Sequence, residues 1–329
     1  MTKDIAAVGI GAGPHTRRRL EGAVRTAGIG IPAIVLFVVL AIASPSFATQ
    51  GNLLNILDQQ SAFLIIAAAG TLVMIAGGID LSVGATYALC AVIGARIASE
   101  VSAPLGIVIG ILVGLVIGLA NGLVVTLFKI NALITTLATS FIVGGAAALL
   151  TGGNIITLYN DPAYGALAQT QLLIAPSSTW IAIVLVVVIG IILARTTFGR
   201  YVYATGGNQS AARLAGVHTT GVRIATFVIS GGAAALGGLI DSSRVLSAQS
   251  SVGGDALTFT VVAGIVVGGT SILGGEGAVW RTALGVLFIA LIGNGFNLLG
   301  LDPLYQRITL GAIILIAVGS DALSRQRRR

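Results

Sequence analysis

The chain has 329 residues, of which 56% are hydrophobic and only 9% are charged. Soluble domains carry about 25% charged residues, so the composition excludes a soluble enzyme and predicts an all-α protein that crosses the membrane many times. The net charge of +7 does not require a nucleic-acid partner, because membrane proteins concentrate Lys and Arg on their cytoplasmic side.

A membrane-spanning helix needs about 20 apolar residues, with 17 to 25 as the usual range. The sequence predicts about ten spans (eight to ten), some of them broken or re-entrant. The predicted spans are 29–47, 54–77, 82–99, 103–128, 132–151, 179–195, 222–241, 257–270, 280–299 and 304–321. The segment 257–270 is too short for a straight crossing and is typical of a helix surrounded by protein or by a water-filled cavity.

The basic residues predict the orientation of these spans. With the N-terminus in the cytoplasm, fifteen of the 18 basic residues fall on the cytoplasmic side, and an even number of spans then places both termini there. This gives a basic tail over 1–28, a membrane domain over 29–321 and a second basic tail over 322–329. Ser46-Phe47-Ala48 loosely resembles a signal-peptide cleavage site, but the long basic region before it favours an uncleaved first span.

A basic loop over 195–223 separates two apolar runs and carries no Asp or Glu. Gly206-Gly207 interrupts the preceding structure, Asn208 can cap a helix over 209–215, and Gly216 is a favourable stop. A helix of two turns is unstable alone in water, so it must be held against a surface. We interpret this helix as the place where a membrane subunit docks a soluble partner.

No segment is long and polar enough for a soluble enzyme domain, and the chain lacks a G-x-x-x-x-G-K-[ST] phosphate-binding loop. We therefore expect ATP to be bound by a partner and expect no cofactor in this chain. The one cysteine, Cys90, lies in an apolar run, and His15 and His218 lie outside the spans. These residues do not have the spacing of a metal site or of a nucleophile with its base.

Two glycine-rich segments interrupt the apolar runs. In Gly77-Gly78-Ile79-Asp80-Leu81-Ser82-Val83-Gly84, Asp80 or Ser82 can cap the following helix, and the alternative is contact between Asp80 and a transported solute. The second segment, 268–277, has five glycines (Gly268, Gly269, Gly274, Gly275 and Gly277) beside Thr270. It lines an inner gate, docks a partner or simply turns between two spans.

Neutral polar residues within the spans are candidates for a solute path: Asn121, Thr135, Thr136, Thr139, Ser140, Asn294 and Asn297. They suit an uncharged, polyhydroxylated solute and equally suit hydrogen bonds between helices. Charges deep in the spans are few, which argues against an ion-coupled transporter. Gly110, Gly114 and Gly118 recur every four residues and predict close helix packing.

Six segments in order resemble permeases of the ribose/xylose/arabinose-type ABC importers. They are GGIDLSVG (77–84), NGLVVTLFKI (121–130), TLATSFIVGGAAALLTGGN (136–154), FGRYVYATGGNQSAARLAGV (198–217), GGTSILGGEG (268–277) and NGFNLLGLDPLYQ (294–306). The resemblance covers about 52–321. The chain departs from the family at 258–264, where relatives are acidic, and at Asn131-Ala132, where they have Pro-Pro.

The resemblance implies a permease in the bacterial inner membrane, a cytoplasmic ABC ATPase, a periplasmic or extracellular sugar-binding protein and a second permease copy. It places ATPase coupling at Gly206, Gly207, Asn208, Ala211, Ala212, Arg213 and Gly216. The path or gate is then expected at Gly77, Gly78, Asp80, Ser82, Gly84, Asn121, Thr136, Gly268, Gly269, Thr270, Gly274, Gly275, Asn294 and Asn297. The alternatives are an importer for branched-chain amino acids or a furanosyl signalling compound, an ion-coupled transporter and a membrane-embedded enzyme.

Overall fold

The computed structural model of the protein describes residues 14–159 and 161–326, and these are mostly helical. The helices are α1 (Pro14–Ala43), α2 (Gln50–Gln59), α3 (Ser61–Ile75), α4 (Val83–Glu100), α5 (Ala103–Leu127), α6 (Ala132–Thr151), α7 (Pro162–Gln169), α8 (Ser177–Arg195), α9 (Thr197–Gly207), α10 (Gln209–Leu214), α11 (Thr219–Val245), α12 (Gly254–Val267), α13 (Val279–Leu298) and α14 (Pro303–Gln326). Residues 1–13 and 327–329 of the predicted basic tails lie outside the described residues.

Helices α3 and α11 form the centre of the molecule. Almost every side chain of α3 is buried, as expected for a helix that is apolar on all sides. Helix α11 packs against α3, α4 and α5, and the main cluster of buried side chains lies between α3, α4, α8, α11, α12 and α13. By contrast, α5 and α6 expose many large apolar side chains, which is the pattern of helices that face lipid.

The predicted glycine packing is confirmed between α5 and α11. A Cβ atom added to Gly114 would lie 2.5 Å from the carbonyl oxygen of Gly231, and one added to Gly118 would lie 2.3 Å from that of Phe227. The two backbones therefore touch where the glycines recur. Small residues at this spacing replace side-chain packing by direct backbone contact.

Five helices are long and apolar enough to span a membrane: α5, α6, α8, α11 and α13. The predicted span 54–77 is a broken one, because the chain bends by 49° between α2 and α3. This bent pair brings the number of candidate spans to six in the described part of the chain. The total of ten spans and the orientation of the termini stay predictions.

Two further apolar helices are short. Residues Gly28–Ala43 form the apolar part of α1, which begins at Pro14 within the predicted basic tail. Helix α12 has 14 residues. At 1.5 Å per residue it is about 21 Å long, less than the ~30 Å hydrocarbon core. The prediction of a short apolar helix at this position is therefore confirmed.

The connection between α6 and α8 contains short elements of regular structure on either side of residue 160. It contains α7, whose first turn is capped by Asp161, and strand β1 (Ile156–Thr157), which pairs with β4 (Ser247–Ala248) after α11. Strands β2 (Gln171–Leu172) and β3 (Ala175–Pro176) form a small hairpin. The Tyr164 hydroxyl lies 2.7 Å from Ser242 Oγ, which fixes α7 against the end of α11.

Candidate functional site

Three glycine-containing segments that are distant in sequence meet at one point. The backbone N–H of Gly275 donates to the carbonyl oxygen of Ile75 at 2.8 Å. A Cβ atom on Gly206 would lie 1.6 Å from the same oxygen, and one on Gly274 would lie 3.0 Å from Gly77 Cα. Only glycine fits where backbones approach this closely. We call the contact between Gly77, Gly206, Gly274 and Gly275 the glycine junction.

A tyrosine from α9 reinforces the glycine junction. The Tyr203 hydroxyl donates to the carbonyl oxygen of Gly277 at 2.8 Å. Burial raises the pKa of the Tyr203 phenol above its usual value, so the hydroxyl remains a donor at neutral pH. Helix α9 is thus tied to the segment 268–277 by a side chain as well as by backbone contact.

The short helix predicted after Gly206-Gly207 is α10, and the residues predicted to begin and end it are confirmed. The Asn208 side chain accepts a hydrogen bond from the Ala211 N–H at 2.9 Å, and Gly216 has φ 82°. Gly206 and Gly207 do not simply break the chain, because they form the last turn of α9, a helix that the sequence analysis did not predict. Asn208 therefore separates two consecutive helices.

Helix α10 has one buried and one exposed face. Ala212 is buried and packs α10 against the rest of the protein, while its predicted part in coupling stays a prediction. The Leu214 side chain is 92% exposed, and the neighbouring Arg213 donates from Nε to Thr219 Oγ1 at 3.2 Å. Arginine is enriched at the centres of protein interfaces, so the exposed face with Arg213 is the candidate docking surface of α10.

A polar network fixes the break between α3 and α4. Asp80 Oδ1 accepts from Ser82 N at 3.0 Å and from Ser82 Oγ at 2.6 Å, while Oδ2 accepts from Ser230 Oγ at 2.7 Å. Asn121 Nδ2 donates to Ser82 Oγ at 2.9 Å, and Thr139 Oγ1 donates to Asn121 Oδ1 at 2.6 Å. Because the chain itself satisfies both carboxylate oxygens, this geometry favours a structural role for Asp80.

The predicted capping of α4 by Asp80 or Ser82 is wrong in detail. Ser82 is the N-cap residue, but its side chain accepts no bond from the first turn. The Gly84 N–H donates instead to Thr258 Oγ1 of α12 at 3.1 Å. Thr136 Oγ1 accepts from the Leu81 N–H at 3.0 Å, so α6 and α12 both satisfy backbone groups at this break.

The first half of the segment 268–277 is a tight turn. A Cβ atom on Gly268 would lie 2.6 Å from the Arg281 carbonyl oxygen, and Gly269 has φ 79°. Thr270 is buried, with Oγ1 3.5 Å from Thr282 Oγ1 of α13. Of the three interpretations of this segment, the turn is confirmed, whereas a gate or a docking role stays a prediction.

A basic pocket of about 560 Å³ lies beside the glycine junction. It is lined by Gly77 and Gly78 and by Lys129, Arg213 and Arg223 from three different elements. Its lining in the described part of the chain includes no Asp or Glu. This end of the molecule therefore presents positive charge around α10.

Asn294 and Asn297 lie far from the junction, at the other end of α13, on a cavity of about 440 Å³. The Asn52 and Asn294 side chains exchange two hydrogen bonds, at 3.0 Å and 2.9 Å. Besides Asn294, the carboxamides on the lining are Asn52, Asn55, Gln59, Gln60, Asn297 and Gln306. We call this space the amide cavity.

Helix α3 connects the two places. Gln60 and Phe63 at its N-terminal end line the amide cavity, and Ile75 at its C-terminal end contacts Gly206 and Gly275. A helix of this length spans about 22 Å, so the amide cavity and the glycine junction lie near opposite faces of a membrane domain.

Residues 52–318 match the model of a family described as branched-chain amino acid transport system / permease component. The chain belongs to this family. It is 37% identical to the ribose import permease protein RbsC of Haemophilus influenzae over 88% of this chain and 91% of the relative. It is also 37% identical to RbsC of Bacillus subtilis, over 93% and 95% of the two chains.

The L-arabinose transport system permease protein AraH of Escherichia coli is 35% identical to this chain, over 92% of both proteins. No solved structure matches the chain. Membership of this family makes the chain a component of a transport system. Its several apolar helices of sufficient length make it a multi-pass membrane protein.

Sequence reasoning missed several residues that the structure brings into these places. Leu214 gives no signal of exposure in the sequence, because a leucine in a short helix is usually buried. Asn52, Gln59 and Gln306 lie at helix ends, where polar residues are ordinary. Tyr203 is recognisable only once Gly277 is known to lie beside it.

Proposed function

We propose that the protein is the membrane subunit of an ABC importer that carries a monosaccharide across the bacterial inner membrane. The observation that carries this proposal is the contact of the coupling segment, through Gly206, with both glycine-rich breaks at Gly77 and Gly274. It gives a soluble ATPase a direct mechanical connection to the membrane helices. The names of the relatives point to a pentose as the solute.

The end with the glycine junction is the cytoplasmic one in this proposal. Lys129, Arg213 and Arg223 line its pocket, and Arg195 and Arg200 belong to the same loop. Positively charged loops are retained on the cytoplasmic side of a membrane. The amide cavity then opens toward the outside, where a sugar-binding protein delivers the solute.

The mechanism follows from the contacts at the junction. Closure of the ATPase moves α10 and, through the capped connection at Asn208, the α9 helix. Gly206 packs on the last turn of α3 without an intervening side chain, so a displacement of α9 is passed directly to α3. A second permease copy completes the path, and the chain makes no covalent bond to its solute.

The docking role of α10 is tested with Leu214→Asp and Arg213→Glu in the complete importer. We expect both variants to insert into the membrane and to lose the copurifying ATPase and sugar uptake. Leu173→Asp is a matched control, because Leu173 is 91% exposed but lies in the β2–β3 hairpin, away from α10. Equal amounts of ATPase with wild type and with both α10 variants would contradict the proposal.

A branched-chain amino acid is the second candidate solute, because the family model carries that name. An amino acid is zwitterionic and needs charged partners, whereas the amide cavity offers neutral donors and acceptors. We therefore favour the sugar. Uptake of radiolabelled pentoses and of leucine by the same importer distinguishes the two, and saturable leucine uptake alone would reverse the assignment.

A further inference from the structure

The amide cavity is lined by polar side chains, which are unfavourable on a surface that faces lipid. Seven carboxamides from α2, α13, α14 and the α2–α3 connection line it, together with Thr260 of α12. Each carboxamide offers two donor hydrogens and an acceptor oxygen. Hydrocarbon satisfies none of these groups, so the cavity faces water, a solute or another protein chain.

Much of this hydrogen-bonding capacity is unused within the protein. Asn52 and Asn294 bond to each other, and Gln59 Nε2 donates to Asn55 Oδ1 at 3.0 Å. In the described part of the chain, the side chains of Asn297 and Gln306 form no hydrogen bond. These amides are therefore available to a ligand that both donates and accepts.

The charge and the size of the cavity define the ligand. The lining in the described part of the chain has no Asp, Glu, Lys or Arg, so an anion or a cation would find no opposite charge. A volume of about 440 Å³ lies within the ~300–1,000 Å³ range of small-molecule sites. Phe63 adds an apolar surface, which suits the C–H face of a sugar ring.

A second cavity of about 380 Å³ shares Gln59, Gln60, Phe63 and Thr260 with the first. It is also lined by Asp241 and Arg244, whose opposite charges are paired: Asp241 Oδ1 accepts from Arg244 Nη2 at 2.6 Å, and the other oxygen accepts from the Tyr87 hydroxyl. The hydrogen-bonding surface therefore continues from α13 and α14 to the end of α11.

We propose that the amide cavity is the transit site at which an uncharged, polyhydroxylated solute of monosaccharide size contacts the membrane subunit. This inference rests on the proposed function and names the recognition chemistry of its path. Hydroxyl groups exchange hydrogen bonds with the free amides of Asn297 and Gln306 as the solute leaves its binding protein. Recognition by many weak neutral contacts allows release on the other side.

The first experiment labels a cysteine placed in the cavity. The only native cysteine, Cys90, is buried, so Asn297→Cys provides a single accessible thiol. The complete importer is treated with a membrane-impermeant maleimide, with and without the monosaccharide that wild type takes up fastest from a panel of ribose, xylose, arabinose and galactose. Gln171→Cys, an exposed position in the hairpin, is the control.

We expect the sugar, at about four times its Kd, to slow labelling of Asn297→Cys about fivefold, because the rate falls by the factor 1 + [L]/Kd, and to leave Gln171→Cys unchanged. Equal labelling rates with and without sugar would overturn the transit site. Complete protection of Asn297→Cys in the absence of sugar would also overturn it, since a second protein chain would then cover the cavity. Wild type that transports no sugar of the panel would instead refute the proposed function.

The second experiment removes one amide. We expect Gln306→Leu to lower the uptake rate about tenfold at saturating binding protein, with the ATPase still bound, because a site built for hydroxyl groups loses a partner. Gln171→Leu makes the same change outside the cavity and leaves uptake unaltered. Equal uptake by the two variants would contradict a contact between Gln306 and the solute.

Discussion

The glycine junction and the amide cavity lie at opposite ends of α3 and are built in opposite ways. At the junction, backbone atoms of Ile75, Gly206 and Gly275 touch directly, with no side chain between them. At the cavity, long amide side chains surround an open space. The glycine junction therefore requires residues without a side chain, whereas the amide cavity requires side chains that form hydrogen bonds.

This contrast predicts which kind of substitution damages each end. One methyl group is enough to disrupt the junction, because a backbone oxygen cannot move aside as a flexible side chain can. An amide in the cavity can change size without loss of packing but loses function with its hydrogen bonds. The following predictions test the contrast, beginning with the largest expected effect.

Gly206→Ala is expected to be the most damaging single change. Its Cβ would lie 1.6 Å from the Ile75 carbonyl oxygen, so α9 must move away from α3. We expect uptake to fall more than about tenfold and stability to fall by about 3 kcal/mol, as in a severe overpacking. Uptake and thermal unfolding of the purified protein measure the two effects.

Gly145→Ala in α6 is the control, because a Cβ atom there has no neighbour within 4 Å and the position lies outside the coupling segment. It should retain wild-type uptake. Similar behaviour of the two alanine variants would show that the junction is looser than the contact distances indicate.

Asp80→Ala removes the acceptor of the buried network. It leaves Ser82 N and Ser230 Oγ without their partner, and each unsatisfied buried donor costs about 1–3 kcal/mol. We expect a loss of about 3 kcal/mol in the free energy of unfolding, measured by chemical denaturation in detergent. Asp255→Ala, at an exposed position, should change it by less than about 0.5 kcal/mol.

Gly114→Ala tests whether backbone contact also governs the centre of the fold. The new Cβ would lie 2.5 Å from the Gly231 carbonyl oxygen, so α5 and α11 must separate. We expect a destabilisation of about 1–3 kcal/mol in thermal unfolding. Gly145→Ala, which has no neighbour within 4 Å, should be neutral or slightly stabilising because alanine favours helices.

Asn208→Ala is expected to have the smallest effect on the fold. It removes the cap of α10, worth about 1 kcal/mol, without adding volume. We expect weakened ATPase copurification and uptake reduced severalfold, while thermal unfolding of the membrane domain changes little. Asn208→Ser keeps an acceptor at the cap and should restore coupling, and failure of this rescue would show that Asn208 acts in another way.

Local features were predictable from the sequence because their causes are local. Asn208 caps α10 and Gly216 ends it since neighbouring residues determine both, and the four-residue spacing of Gly110, Gly114 and Gly118 is itself the packing signal. The membrane character and the short α12 follow from composition and length.

The contacts between segments that are distant in the chain could not be predicted from the sequence. Nothing in the sequence near Gly206 indicates that it contacts Ile75 and Gly275, because those contacts depend on how three helices pack. The amide cavity gathers Asn52 and Asn294 from α2 and α13 for the same reason. The bend between α2 and α3 was missed because neither Gly nor Pro marks it.

The position of that bend has a consequence for selectivity. Gln60 is both the last residue associated with α2 and the residue before α3, and it also lines the amide cavity. The 49° angle between the two helices therefore sets the spacing of the carboxamides on either side of it. A tilt of α3 that is imposed at the glycine junction therefore also changes the shape of the amide cavity, because the bend at Gln60 lies at the other end of this helix.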